Sequence, residues 1–178
     1  MRADRSLAAI FDYPIADILA AMPPEDSPLW EKERLRQQRF RVHSQTRSII
    51  FAWLENDWQP GMPLDIQRPE VPEVLGRAVA DFEAALLDRR PGTVVKSMLA
   101  EVPAGKCVYP HVDRSACLVL SHRCHLPVLT SDEVDLDVDA KTYHLQVGTV
   151  YELDNTRLHG VRNLSDRRRV HLICDVMP

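Results

Sequence analysis

After Pro91-Gly92 the sequence changes its period, and that change constrains the fold more than any other feature of the chain. Short aliphatic and β-branched runs alternate with polar residues: Val94–Val102, Ala116–Leu120, His125–Leu129, Val134–Val138, Tyr143–Val147, Thr149–Leu153 and Val170–Val176. Turn-forming residues separate them, including Pro103-Ala104-Gly105, Gly148 and Asp154-Asn155. A period of two over such short runs belongs to strands, because successive side chains on a strand point to opposite faces. So many strands in residues 93–178 predict an antiparallel sandwich or small barrel.

Upstream, residues 1–92 predict a mixed helix and strand support for that β-core. Ile15, Ile18, Leu19 and Met22 recur at helical spacing until Pro23-Pro24 stops them. Ser48 to Leu54 predicts a buried strand. The strongest helix runs from about Pro72 to Arg90, with Val71, Val74, Leu75, Ala78, Val79, Phe82, Ala85 and Leu86 in one stripe. Arg89 and Arg90 suit the negative end of its dipole. The charged run at residues 30–41 predicts a solvated helix or strand edge. At 178 residues the chain has the length of one domain and can bury a core without disulfides.

Several function classes are disfavoured. A net charge of −4 offers no basic field for nucleic acid. No apolar run approaches the roughly 20 residues of a membrane span. The N-terminal apolar stretch is broken by Asp12, Pro14 and Asp17, which fits a signal peptide poorly. Cys107, Cys117, Cys124 and Cys174 form no CxxC pair, so reduced thiols and a cytoplasmic location are the expectation.

Six of the seven histidines lie after residue 110, which directs attention to the β-core. In YPHVDRS (109–115), an extended backbone projects His111 and Asp113 to one face and Val112 to the other. An imidazole and a carboxylate so placed supply two ligands of a facial triad, which leaves iron with open positions for a co-substrate and O2. His159, following the run Thr149–Leu153, is the candidate third ligand. In RVHLICDV, Arg169, His171, Ile173 and Asp175 share one face and Val170, Leu172, Cys174 and Val176 the other. Arg169 is placed to bind the far carboxylate of a dicarboxylic co-substrate bidentately, whereas Arg167 and Arg168 read as a solvated run. In SHRCHLP (121–127), Arg123 and His125 share a face and read as donors to carboxylates.

PHVDRS, SHRCHLPV, VGTVYELDNTRLHGVRN and RRRVHLICDV, in that order, resemble the aspartyl/asparaginyl β-hydroxylase family of 2-oxoglutarate dioxygenases. The resemblance covers roughly residues 94–178. It implies a double-stranded β-helix (jelly-roll, cupin-like) core, Fe(II), and 2-oxoglutarate with O2 as co-substrates. It assigns His111 and His159 to iron, Arg123 and His125 to the family's Arg-x-His that contacts 2-oxoglutarate, and Arg169 to its terminal-strand arginine. Some members lack a carboxylate where this chain has Asp113, so the chain is more similar to members with a full triad. The implied substrate is amino-acid-like: a free amino acid, a carrier-bound aminoacyl group or a peptide Asp or Asn side chain. Its choice is expected to rest on N-terminal residues and the 130–142 loop, with His171 and Asn155 as neighbours of the site. Two rival classes fit the same residues: a cupin-like metal enzyme that does not use 2-oxoglutarate, and a β-sandwich binding module without catalysis.

Overall fold

The computed structural model describes residues 6–32 and 34–178. In chain order the first half forms β1 (Leu7–Asp12), α1 (Ala16–Ala21), a 3-10 turn at Pro28–Glu31, α2 (Leu35–Arg39), β2 (Arg47–Trp53) and α3 (Glu73–Leu87). The second half forms β3 (Thr93–Val102), β4 (Cys107–His111), α4 (Ala116–Val119), β5 (His122–Leu129), β6 (Val134–Val138), β7 (Lys141–Tyr143), β8 (Thr149–Leu153), β9 (His159–Asn163) and β10 (Arg169–Met177).

The strands build two antiparallel sheets, one in the order β1-β8-β5-β10-β3-β2 and the other β4-β9-β6-β7. From β3 onward the chain passes back and forth between them, so that β8-β5-β10-β3 faces β4-β9-β6-β7. Eight strands in that order make a double-stranded β-helix, as expected from the resemblance. β1 and β2 extend the larger sheet at its two edges; β2 was foreseen and β1 was not.

Helix α3 forms where the apolar stripe lies. Leu75, Val79, Phe82 and Leu86 are fully or almost fully buried and join Leu126, Leu172 and Cys174 of the larger sheet in one core cluster. Each such side chain contributes about 1.5–3 kcal/mol on burial. Val74 departs from the predicted stripe and is 71% exposed. The helix ends at Leu87, before the two arginines, and Arg90 turns to Glu152 instead, with bonds of 2.7 and 2.9 Å.

Three more readings change. Ala116–Leu120 is the helical turn α4, not a strand. Its adjacent residues Cys117 and Leu118 are buried while Val119 and Leu120 face out, and Ser121 Oγ donates to the Cys117 carbonyl at 2.6 Å. The Tyr143–Val147 strand stops at Tyr143. In the charged run at 30–41, Trp30 and Gln37 are buried, with Gln37 Nε2 donating to Ser48 Oγ at 3.0 Å.

β10 explains where the site sits. Val170, Leu172, Cys174 and Val176 enter the core under α3, and Arg169, His171, Ile173 and Asp175 point between the two sheets. Both faces are buried. The space between the sheets is therefore lined in part by charge and imidazole, which apolar packing alone would not select.

Candidate metal centre and its pockets

The local geometry of β4 and β9 creates the centre. β4 pairs normally at Val108–Val161, then slips at Tyr109-Pro110 so that His111 comes opposite His159. Pro110 has no N–H to offer a ladder and is tolerated at such a bulge. Gly160 lets the strands close: a Cβ there would meet the Val108 carbonyl at 3.0 Å and Pro110 backbone atoms at 3.2 Å. The His111 and His159 rings end 4.3 Å apart. Asp113 lies just past β4, and its N–H is bound to the Asn155 carbonyl at 3.0 Å. One ligand atom each from His111, Asp113 and His159 falls within 4.8 Å of the others.

The second ring nitrogens are already committed. His111 Nδ1 donates to the Tyr109 carbonyl at 2.8 Å and His159 Nδ1 to the Arg157 carbonyl at 2.9 Å, which turns each Nε2 lone pair toward the cluster. His111 Nε2 is buried with no hydrogen-bond partner. Burial lowers the pKa of both, His159 to about 4 with His111 adding to the effect. Both are therefore neutral at pH 7, the form that ligates metal. Burial pushes the Asp113 carboxyl up, but Arg123, helped by His159 and Asn155, outweighs it and holds Asp113 below the usual carboxylate range. An anionic oxygen beside two neutral imidazoles, one with an orphaned buried nitrogen, fits a divalent metal ion.

Two pockets meet at this cluster. The inner one is tight, about 40 Å³, and contains His111, His159, His125 and Arg169 in its wall. Arg169 is 2% exposed, yet among the described residues no carboxylate lies within ion-pair distance of it. Its Nη2 donates to His171 Nδ1 at 2.6 Å and its Nε has no partner. Burial lowers its pKa to about 9. Both ring nitrogens of His125 are also buried without partners. The outer pocket is about 340 Å³ and is lined by Phe40, Trp53, Met98 and Leu118 beside His111 and Asp113.

The structure thus brings His111, Asp113, His159, His125, Arg169 and Arg123 to one place between the sheets. His171 backs Arg169, and Asn155 Nδ2 donates to Asp113 Oδ2 at 3.0 Å. Arg123 is paired with protein carboxylates. Its Nε and Nη2 bind both oxygens of Asp175 at 2.8 and 2.9 Å, and its Nη1 binds Asp113 Oδ2. Arg168 departs from the solvated reading, stacking over Trp30 and donating to the Pro23 carbonyl at 3.2 Å.

Sequence reasoning missed Arg36, His43 and Lys96. Arg36 lines both pockets and bonds the His43 ring at 3.0 Å, and that ring stands edge-on to His111 at 5.2 Å. Lys96 is 1% exposed, lies 3.5 Å over the Trp53 ring and donates to the Leu54 carbonyl. Nothing in their local pattern separates Arg36 from its charged neighbours, whereas a lysine inside the apolar run of β3 was a visible signal. The N-terminal residues do line the outer pocket; of the 130–142 segment only Leu136 reaches either pocket.

Residues 74–178, more than half of the chain, match the family model for aspartyl/asparaginyl beta-hydroxylase. No curated protein matches the sequence. Among solved structures, an oxidoreductase of the 2OG-Fe(II) oxygenase family from Burkholderia pseudomallei superposes with a TM-score of 0.55 at 10% identity, covering 73% of this chain and 65% of that one. A predicted oxalate decarboxylase from Thermotoga maritima gives a TM-score of 0.40 at 14% identity over 54% of this chain and 74% of that one. A cupin domain from Bordetella pertussis gives 0.38 at 20% identity over 47% and 81%. The chain spans about two thirds of the length of the oxygenase it resembles. No helix among the described residues is long and apolar enough to cross a membrane.

Proposed function

The chain belongs to the aspartyl/asparaginyl beta-hydroxylase family, and from that premise we propose that it is an Fe(II)- and 2-oxoglutarate-dependent dioxygenase that hydroxylates an amino-acid-like substrate. His111, Asp113 and His159 would hold the iron, the residue types of a two-histidine, one-carboxylate facial triad. Bound iron, with 2-oxoglutarate and O2, supplies the oxidising chemistry. The protein's own task is to bind, orient and keep water out.

One observation carries the reading: Arg169 is buried in the pocket that reaches the triad, and among the described residues it has no carboxylate partner. A buried cation without a counterion is costly unless a ligand neutralises it. A dicarboxylate that reaches from the metal to the Arg169 guanidinium does so, and a planar fork suits its far carboxylate. The partnerless nitrogens of His125 can bond the same molecule nearer the metal. A cupin-like enzyme without 2-oxoglutarate has no use for Arg169, and a binding module has no use for an orphaned His111 Nε2. The outer pocket, at about 340 Å³, has room for one amino acid side chain or a small free amino acid beside Asp113.

The test is anaerobic reconstitution with Fe(II), followed by 2-oxoglutarate-dependent succinate formation over a panel of free amino acids, aminoacyl carriers and short Asp or Asn peptides. One iron per chain is expected, with succinate formation abolished by His111→Ala or His159→Ala. Full turnover in the His159→Ala protein removes that residue from the triad. Metal-dependent turnover that ignores 2-oxoglutarate favours the cupin-like alternative.

A further inference from the structure

The unusual feature of the centre is that its one carboxylate is held from behind by a buried ion pair. Asp113 Oδ2 accepts from Arg123 Nη1 and from Asn155 Nδ2, the latter at 3.0 Å. Asp113 Oδ1 has no hydrogen-bond donor among the described residues and lies 3.8 Å from His111 Nε2, on the metal side. Arg123 is itself fixed, because Asp175 grips its other edge bidentately and is 0% exposed on β10. Lys96 stands opposite Asp175 in the ladder between β3 and β10, so charge alternates through Lys96, Asp175, Arg123 and Asp113.

We infer that Arg123 is a positioning residue for the metal ligand Asp113 and not a contact of the co-substrate. The inference rests on the iron reading above. It departs from the role that the resemblance gives to the Arg-x-His arginine. The physical reason is donor geometry. A guanidinium has five N–H donors in one plane. Here three of those donors are taken by protein carboxylates, Nε and Nη2 by Asp175 and Nη1 by Asp113. With two donors on Oδ2, the Asp113 carboxylate cannot swing to chelate through both oxygens. Oδ1 would be the oxygen it presents to a bound metal ion. Asn155 completes the clamp, bonding Asp113 through both its carbonyl and its side chain, while its Nδ2 also reaches the Leu118 carbonyl at 3.3 Å. On this account the anion-binding work in the inner pocket falls to Arg169 and His125.

The test separates metal affinity from co-substrate affinity. Arg123→Gln alone leaves Asp175 buried and unpaired, which can unfold the protein. The double variant Arg123→Gln/Asp175→Asn removes both charges together, and its fold is checked by near-ultraviolet circular dichroism. Mn(II) affinity is measured anaerobically by competition with a chelator, and 2-oxoglutarate affinity by calorimetry at saturating Mn(II). The double variant is expected to bind Mn(II) about 10–100-fold more weakly, the usual loss when an outer partner of a ligand is removed. Its 2-oxoglutarate affinity should stay within about threefold at saturating metal. Asn155→Ala should weaken Mn(II) binding in the same direction. Unchanged Mn(II) affinity in the double variant overturns the inference, and so does a loss of 2-oxoglutarate affinity that exceeds the loss for metal. If wild-type protein has no Mn(II) or Fe(II) affinity, the iron reading fails and takes this inference with it. If wild-type affinity is retained in the double variant, only the inference fails.

Discussion

Replacing Arg169 by methionine should make the protein more stable and at the same time blind to 2-oxoglutarate. The side chain is 2% exposed, and burial lowers its pKa from the ordinary arginine value to about 9. At 1.36 kcal/mol per unit, the folded state disfavours the charged form by on the order of 5 kcal/mol. The sign follows from linkage: the folded pKa lies below the unfolded one, so the cost is fully present at pH 7 and disappears only at strongly alkaline pH. Arg169→Met removes that cost with a flexible chain of similar length. It also orphans His171 Nδ1, now bonded at 2.6 Å, at a cost of about 1–3 kcal/mol. The net gain is about 2–4 kcal/mol, which at about 2–4 °C per kcal/mol for a chain of this size raises Tm by about 5–15 °C. In wild type, 2-oxoglutarate at 100 times its Kd should add about 2.7 kcal/mol; the variant should show no such shift. Differential scanning fluorimetry of Mn(II)-loaded protein, with and without 2-oxoglutarate, reads both effects. Arg169→Lys should recover part of the ligand response, since a point charge lacks the bidentate fork. A lower Tm in Arg169→Met, or a ligand shift equal to wild type, refutes the reasoning.

Three further outcomes are expected. Asp113→Ala should weaken Mn(II) binding by at least about tenfold and uncouple 2-oxoglutarate consumption from product formation; unchanged affinity with coupled turnover would mean that two histidines suffice. Gly160→Val should push β4 from β9, since its side chain starts 3.0 Å from the Val108 carbonyl, costing about 1–3 kcal/mol in a urea melt and separating His111 from His159 enough to lower metal affinity; a variant with wild-type affinity would show that the close approach is dispensable. Metal-free protein should lose stability as pH falls below about 6.5, because His43, His111, His125, His159 and His171 all have pKa values lowered by burial. The unfolded chain then binds more protons than the folded one, and the drop of His159 to about 4 alone contributes roughly 2 kcal/mol by pH 5 and roughly 3 kcal/mol below pH 4; urea midpoints that agree at pH 7.5 and pH 5 would contradict this.

The β-core was legible because its strands alternate in chemistry even where they do not alternate in burial. β10 is buried from Arg169 to Val176, yet its two faces separate cleanly into Val170-Leu172-Cys174-Val176 and Arg169-His171-Ile173-Asp175. The same reasoning placed Arg123 and His125 together. It failed at Ala116–Leu120, where an apolar pentapeptide is too short for its period to separate a strand from one helical turn. It missed β9 because HGVRN holds a glycine where strand propensity is weak, although that glycine brings the two histidines together. Arg36 and His43 come from α2 and the turn after it, elements whose approach to the His111-Asp113-His159 cluster is set by packing against β2 and β4 and not by local pattern.

The N-terminal half is therefore more than a cover for one face of the sheet. α1 and α3 supply the apolar layer that lets β10 and β5 be buried on their outer side, so that their inner side can carry Arg123, His125, Arg169 and Asp175 out of water. The 40–58 region reaches around the β2 edge and supplies Phe40, His43, Trp53 and Asn56 to the outer pocket. In this arrangement the β-core holds the groups that would bind metal and co-substrate, and the N-terminal support builds much of the wall a substrate would meet. Variation at residues 36–56 should then change which substrate is turned over while leaving the triad residues in place.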